Sequence, residues 1–175
     1  MRYRLDVVAG SVADVVRFAG GWLFDRSMAG WDVTVLLTDL ADRRDLRPLQ
    51  IIGAQTLDLE DALAAVETRP HPQALAAAAD LFGCDSRVRD GVSQALDRGV
   101  TEVTLWGEDC PAELDDSVGL VQHRLSMAAK IFKGRALAAA LNGDGVPQGS
   151  IGYIETFRSG LLAWPSVAAD LVPAG

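Results

Sequence analysis

The sequence predicts an α/β domain in three layers, with a mainly parallel sheet of four or five strands and helices on both faces. Three observations lead there. The chain opens with a short strand pattern, "YRLDVVAG", that runs directly into a helical pattern. That helix ends at a glycine and is followed by "WDVTVLL", a run too uniformly apolar to have a solvated face, as in strands buried on both sides. Further on, "SRVRDGVSQALDRG" leads through a closing glycine into "VTEVTLWGED", a second helix-to-strand passage. A strand, a crossover helix and a parallel strand form a right-handed βαβ unit.

Each element has its local reason. Ser11 is a good N-cap, and Asp14 puts a carboxylate in the first helical turn. Val12, Val15, Val16, Ala19, Trp22 and Leu23 recur at three- and four-residue spacing, which predicts one buried stripe. Gly20 and Gly21 interrupt it, at a cost of about 1 kcal/mol each relative to alanine, so close packing on a neighbour is expected in compensation. Gly30 suits a left-handed helix end. "LQIIGAQTL" reads as a third strand with a bend at Gly53, and "DLEDALAAVE" as a short helix capped by Asp58. "RPHP" breaks the chain before "PQALAAAADLF", which reads as helix, and residues 117–141 read as one long helix. "SIGYIETF" is the last predicted strand. The tail 160–175 is apolar and is expected to dock on the body or on a partner.

With 175 residues the chain fits a single domain spanning 1–175. It has no apolar run of membrane-spanning length and no signal-peptide pattern at its start. Cys84 and Cys110 form neither a metal motif nor a disulfide framework, which together predicts a reduced, cytoplasmic protein. The net charge of −8 is unevenly spread: residues 1–56 are neutral, 57–116 carry −10 and 117–175 carry +2. The acidic middle argues against a nucleic-acid partner.

"AGWDVTVLLTD" is similar to the second strand of many Rossmann-like proteins, nucleotide-binding and sugar-transfer types included. The resemblance implies architecture and a ligand site at the carboxyl ends of the strands, without an activity. If the strand order is 3-2-1-4, Ser11, Asp39, Glu108 and Asp109 converge there as candidate ligand-binding residues. The turn "AGSVAD" lacks the G-x-G-x-x-G fingerprint of NAD or FAD binding. The acidity of this mouth suits a divalent ion such as Mg²⁺ better than a bare phosphate. "GDGVPQGSIG" follows a helix and precedes a strand, the reverse of a phosphate loop. His71 and His123 are the available histidines, with no evident catalytic partner, and Cys110 is the better placed of the two thiols.

The spare catalytic inventory, the apolar tail and the segregated charge favour a non-catalytic module acting through protein contacts, with itself or with another protein. Lys130, Lys133, Arg135 and Trp164 are its expected contact residues. The alternative is a small-molecule or nucleotide-binding enzyme with a metal-assisted site at the strand ends.

Overall fold

The computed structural model describes residues 2–39, 45–142, 151–160 and 169–175. Trp164 therefore lies outside the described residues. An eight-stranded sheet runs through the domain in the order β3-β2-β1-β4-β5-β7-β6-β8. Its parallel part is β3 (Gln55–Asp58), β2 (Asp32–Leu37), β1 (Arg4–Ala9), β4 (Ala74–Ala78) and β5 (Glu102–Trp106). An antiparallel edge extends it through β7 (Ile154–Gly160), β6 (Val118–Arg124) and the two-residue β8 (Val172–Pro173).

Helices α1 (Val12–Met28), α2 (Arg47–Ile51) and α6 (Met127–Ala140) cover one face of the sheet. Helices α3 (Leu59–Ala64), α4 (Ala79–Cys84) and α5 (Ser86–Arg98) cover the other. The three-layer architecture is as the sequence predicts, with more strands. Val33, Val35, Leu36 and Leu37 are all buried in β2, between β1 and β3.

The predicted caps form. Ser11 Oγ accepts from Asp14 N, Asp58 accepts from the amides of Glu60 and Asp61, and Gly30 and Gly99 take positive φ. Gly21 meets its compensation: a Cβ there would collide with Leu125, which leads from β6 into α6. Gly21→Ala is therefore expected to destabilise the fold by about 1–3 kcal/mol through overpacking. That loss outweighs the ~1 kcal/mol gained in helix propensity. Gly20→Ala, whose Cβ would meet Val16 at 3.3 Å and Lys133 at 3.5 Å, is the milder control in a urea titration.

Three elements differ from the sequence reading. "LQIIGAQTL" divides into α2 and β3, with Gly53 at φ +81° turning between them. The alanine run read as helix begins as β4, pinned between β1 and β5, so ladder pairing and burial override alanine's helix propensity. The long helix of 117–141 is β6 followed by α6, with Ser126 Oγ accepting from Ala129 N at the new helix start. His123 thus lies on a strand. Residues 169–175 of the apolar tail lie on their own chain: β8 pairs with β6, and Leu171 packs against the main core.

Candidate functional site

The sheet reverses its strand order beside β1, where β2 and β3 lie to one side and β4 and β5 to the other. Open α/β sheets place their ligand crevices at the carboxyl ends of the strands at such a point. A cleft of about 420 Å³ opens next to that point, at the carboxyl ends of β1 and β2. Residues 10–13 form one wall, as β1 turns into α1; Leu37 and Asp39 come from the end of β2, and Asp45, Leu46 and Asn142 close it. The amides of Val12 and Ala13, in the first turn of α1, have no carbonyl partner within their own helix. Asp45 is gripped by Arg47, whose side-chain hydrogen bonds hold that carboxyl below the usual carboxylate range.

A second cleft, of about 340 Å³, lies where β5 ends. Gly107, Glu108 and Cys110 line one side; Arg17 and Phe18 of α1, Lys133 of α6 and Glu155 and Arg158 of β7 line the rest. A hollow between the clefts shares Ala13 with the first and both Arg17 and Lys133 with the second. The recesses therefore run together along α1.

A buried ion pair lies against the second cleft. Lys133 Nζ is 2.7 Å from Glu155 Oε1 and donates to the carbonyl of Arg17 at 2.7 Å. The two oxygens of Glu155 accept from the mid-helix amides of Gly21 and Trp22, each at 2.8 Å. The pair thus reaches the backbone of α1 at Arg17, Gly21 and Trp22, beside the two glycines. Burial pushes the Glu155 carboxyl up, against the pull of Lys133 and the two amides.

The four candidate ligand residues do not share one cleft. Ser11 and Asp39 line the first, Glu108 lines the second, and Asp109 lines neither. The cause is the unrecognised β4. It stands between β1 and β5 and moves the "WGED" end one strand outward. Among the described residues no three His, Cys, Asp or Glu side chains gather into a metal-binding group. Burial raises the Cys110 thiol, the opposite of what a nucleophile needs.

The expected contact residues also separate. Lys133 is buried in its ion pair, Lys130 Nζ lies 3.5 Å from the centre of the Tyr153 ring, and Arg135 is exposed. They do not form one basic docking face. The sequence reading takes Lys133 as a surface contact residue and passes over Glu155 and Arg17, because the false long helix hides β6 and leaves β7 without its neighbour.

No family model matches the chain, and no curated protein matches it by sequence. Solved structures do match. The chain is similar to the A40926 pseudoaglycone deacetylase Dbv21, with a TM-score of 0.62 at 15% identity over 95% of this chain and 100% of that one. The shared property is the fold. A triple mutant of a deacetylase from the teicoplanin biosynthetic pathway matches with a TM-score of 0.61 at 15% identity, over 93% of this chain and 100% of that one. GalB, the 4-carboxy-2-hydroxymuconate hydratase from Pseudomonas putida KT2440, matches with a TM-score of 0.51 at 13% identity, over 97% and 100%.

These matches correct the expectation of a non-catalytic module acting through protein contacts. The structures that share the fold along their full length are enzymes, and almost none of this chain lies outside the shared fold to serve as a separate docking module. No described helix is long and apolar enough to cross a membrane.

Proposed function

We propose that the chain is an enzyme that adds water to a small polar molecule held in the cleft at the carboxyl ends of β1 and β2. The observation that carries this reading is the cleft itself: it lies at the carboxyl ends of β1 and β2 and is lined by hydrogen-bond donors of the first turn of α1 and by the carboxylates of Asp39 and Asp45. The fold is shared with a deacetylase and a hydratase, and hydrolysis of an acetyl group and hydration both add the elements of water to a carbon centre.

The division of labour follows from the two walls. Asp39 takes one proton of the attacking water as the water oxygen bonds to the substrate carbon and the π electrons move onto the substrate oxygen; it then returns that proton to the leaving nitrogen in hydrolysis, or to the neighbouring carbon in hydration. The amides of Val12 and Ala13, reinforced by the positive end of the 17-residue α1, stabilise the negative charge that develops on the substrate oxygen. Ser11, whose Oγ is 3.3 Å from Asp14 N, keeps this first turn in register. No step is assigned to a metal ion.

The test is turnover of a panel of N-acetylated sugars and amino compounds and of unsaturated hydroxy acids. Asp39→Asn is expected to lower kcat about 10²–10⁴-fold in protein that circular dichroism shows to be folded, the range for loss of a general base. Full activity in that variant, or no turnover of any panel member by the folded wild type, would count against the reading.

A further inference from the structure

Strand β1 carries a carboxylate on a face of the sheet that is otherwise mostly apolar. Asp6 lies on the face of β1 covered by α3 and α5, in register with Thr34 of β2 and Leu75 of β4, and two residues before Val8 on the same face. Its side chain is only 7% exposed. Oδ1 accepts from Arg69 Nη2 at 3.1 Å, while Oδ2 has no hydrogen-bond partner among the described residues. Burial pushes the Asp6 carboxyl up, against the pull of Arg69 and, more weakly, Arg4.

The side chain is not packed against apolar neighbours alone. It borders a cavity of about 140 Å³ between α3 and α5, walled by Leu36, Leu59, Ala62, Val88 and Val92. Arg69, on the loop before Pro70, stands at the polar end beside Asp6, and His71 lies on the rim. The cavity shares no lining residue with the clefts at the carboxyl edge and opens on the opposite face of the sheet. An apolar cavity of about 150 Å³ is large enough to take a benzene ring.

We propose that this cavity is a second ligand site, for a neutral molecule of single-ring size with a hydroxyl head, the phenol class. The apolar walls take the ring. The hydroxyl donates to Asp6 Oδ2 and accepts from the Arg69 guanidinium, so both members of the ion pair gain a partner. A cationic head is disfavoured, because Asp6 is already neutralised by Arg69 and Arg87 also lines the cavity. A purely apolar ring leaves Oδ2 unpaired.

The experiment is titration of the intact chain with phenol, toluene and benzylamine, followed by heteronuclear NMR. Phenol is expected to perturb the amides around Asp6, Ala62 and Val92 and to bind at least fivefold more tightly than toluene or benzylamine. Gly91→Trp fills the cavity from α5. Gly91 lines the cavity and a Cβ there meets nothing within 4 Å, so a side chain has room at this position, and a thermal melt by circular dichroism checks that the variant is folded. It is expected to weaken phenol binding at least tenfold while leaving turnover at the carboxyl-edge cleft unchanged. Asp6→Leu/Arg69→Leu removes the polar head as a pair and is expected to bring phenol and toluene to equal affinity. No saturable phenol binding, equal affinity for phenol and toluene in the wild type, or undiminished binding in Gly91→Trp would each overturn the proposal.

Discussion

Arg26→Leu is expected to destabilise the protein by about 3–5 kcal/mol, the usual cost of breaking a buried ion pair from one side. Arg26 is 1% exposed. Its guanidinium lies between two rings, 4.5 Å from the centre of Trp22 and 4.4 Å from that of Trp31. Nη2 is 2.7 Å from Glu102 at the start of β5, and Nε is 2.8 Å from Asp170 in the returning tail. Leucine keeps much of the packing but takes the guanidinium away from both Glu102 and Asp170. Asp170 also accepts from the Trp22 indole, and its carbonyl meets His123 Nδ1 at 3.0 Å, so one side chain ties the tail to the body.

The same cluster sets a pH dependence. Burial alone raises the Asp170 carboxyl, but the hydrogen bond and charge of Arg26 outweigh it and hold it below its usual value. A depressed carboxylate contributes stability that is present above its unfolded value of about 4 and is lost as pH falls through the folded value. Acid titration by circular dichroism is expected to show that loss in the wild type and to show less of it in Asp170→Asn. An equal acid slope in the two proteins would contradict the assignment.

Lys133→Met carries the second large effect, again about 3–5 kcal/mol, because it strands the Glu155 carboxylate in the core. The pairing adds a more specific expectation. Lys133 and Glu155 meet in the core and both hydrogen-bond to the backbone of α1. Removing both charges together leaves neither one stranded there. Lys133→Met/Glu155→Leu is thus expected to be more stable than Lys133→Met alone, with a strongly non-additive cycle in denaturant melts. Additive costs would mean that the two side chains do not act as a pair.

The first βαβ unit was legible because its signals agree locally: the Ser11 cap, the Gly30 exit and the apolar run of β2 all point to one structure. The architecture followed from it. What the sequence hid are elements whose local preference opposes their place. The alanines of β4 favour helix in isolation and are strand because β1 and β5 pair with them. Residues 118–124 lack strict alternation, and their strand identity comes from β7 along one side. These two misreadings also misplaced the site. Without β4 the ends of β1 and β5 seemed adjacent, and without β6 the partner of Lys133 could not be found. Ser11 and Asp39 were legible because they terminate the two correctly read strands. Asp45 and Asn142 reach the cleft through tertiary folding, with no local pattern to mark them.

The most direct measurement of the central claim is an NMR titration of the wild-type chain with the substrate panel, read residue by residue and followed through to product. Catalysis in the carboxyl-edge cleft predicts that a turned-over compound shifts the amides of Gly10, Ser11, Val12, Ala13 and Asp39, and that Asp39→Asn still binds it without converting it. Perturbations confined to other surfaces, with the amides of the cleft unmoved during turnover, would contradict it.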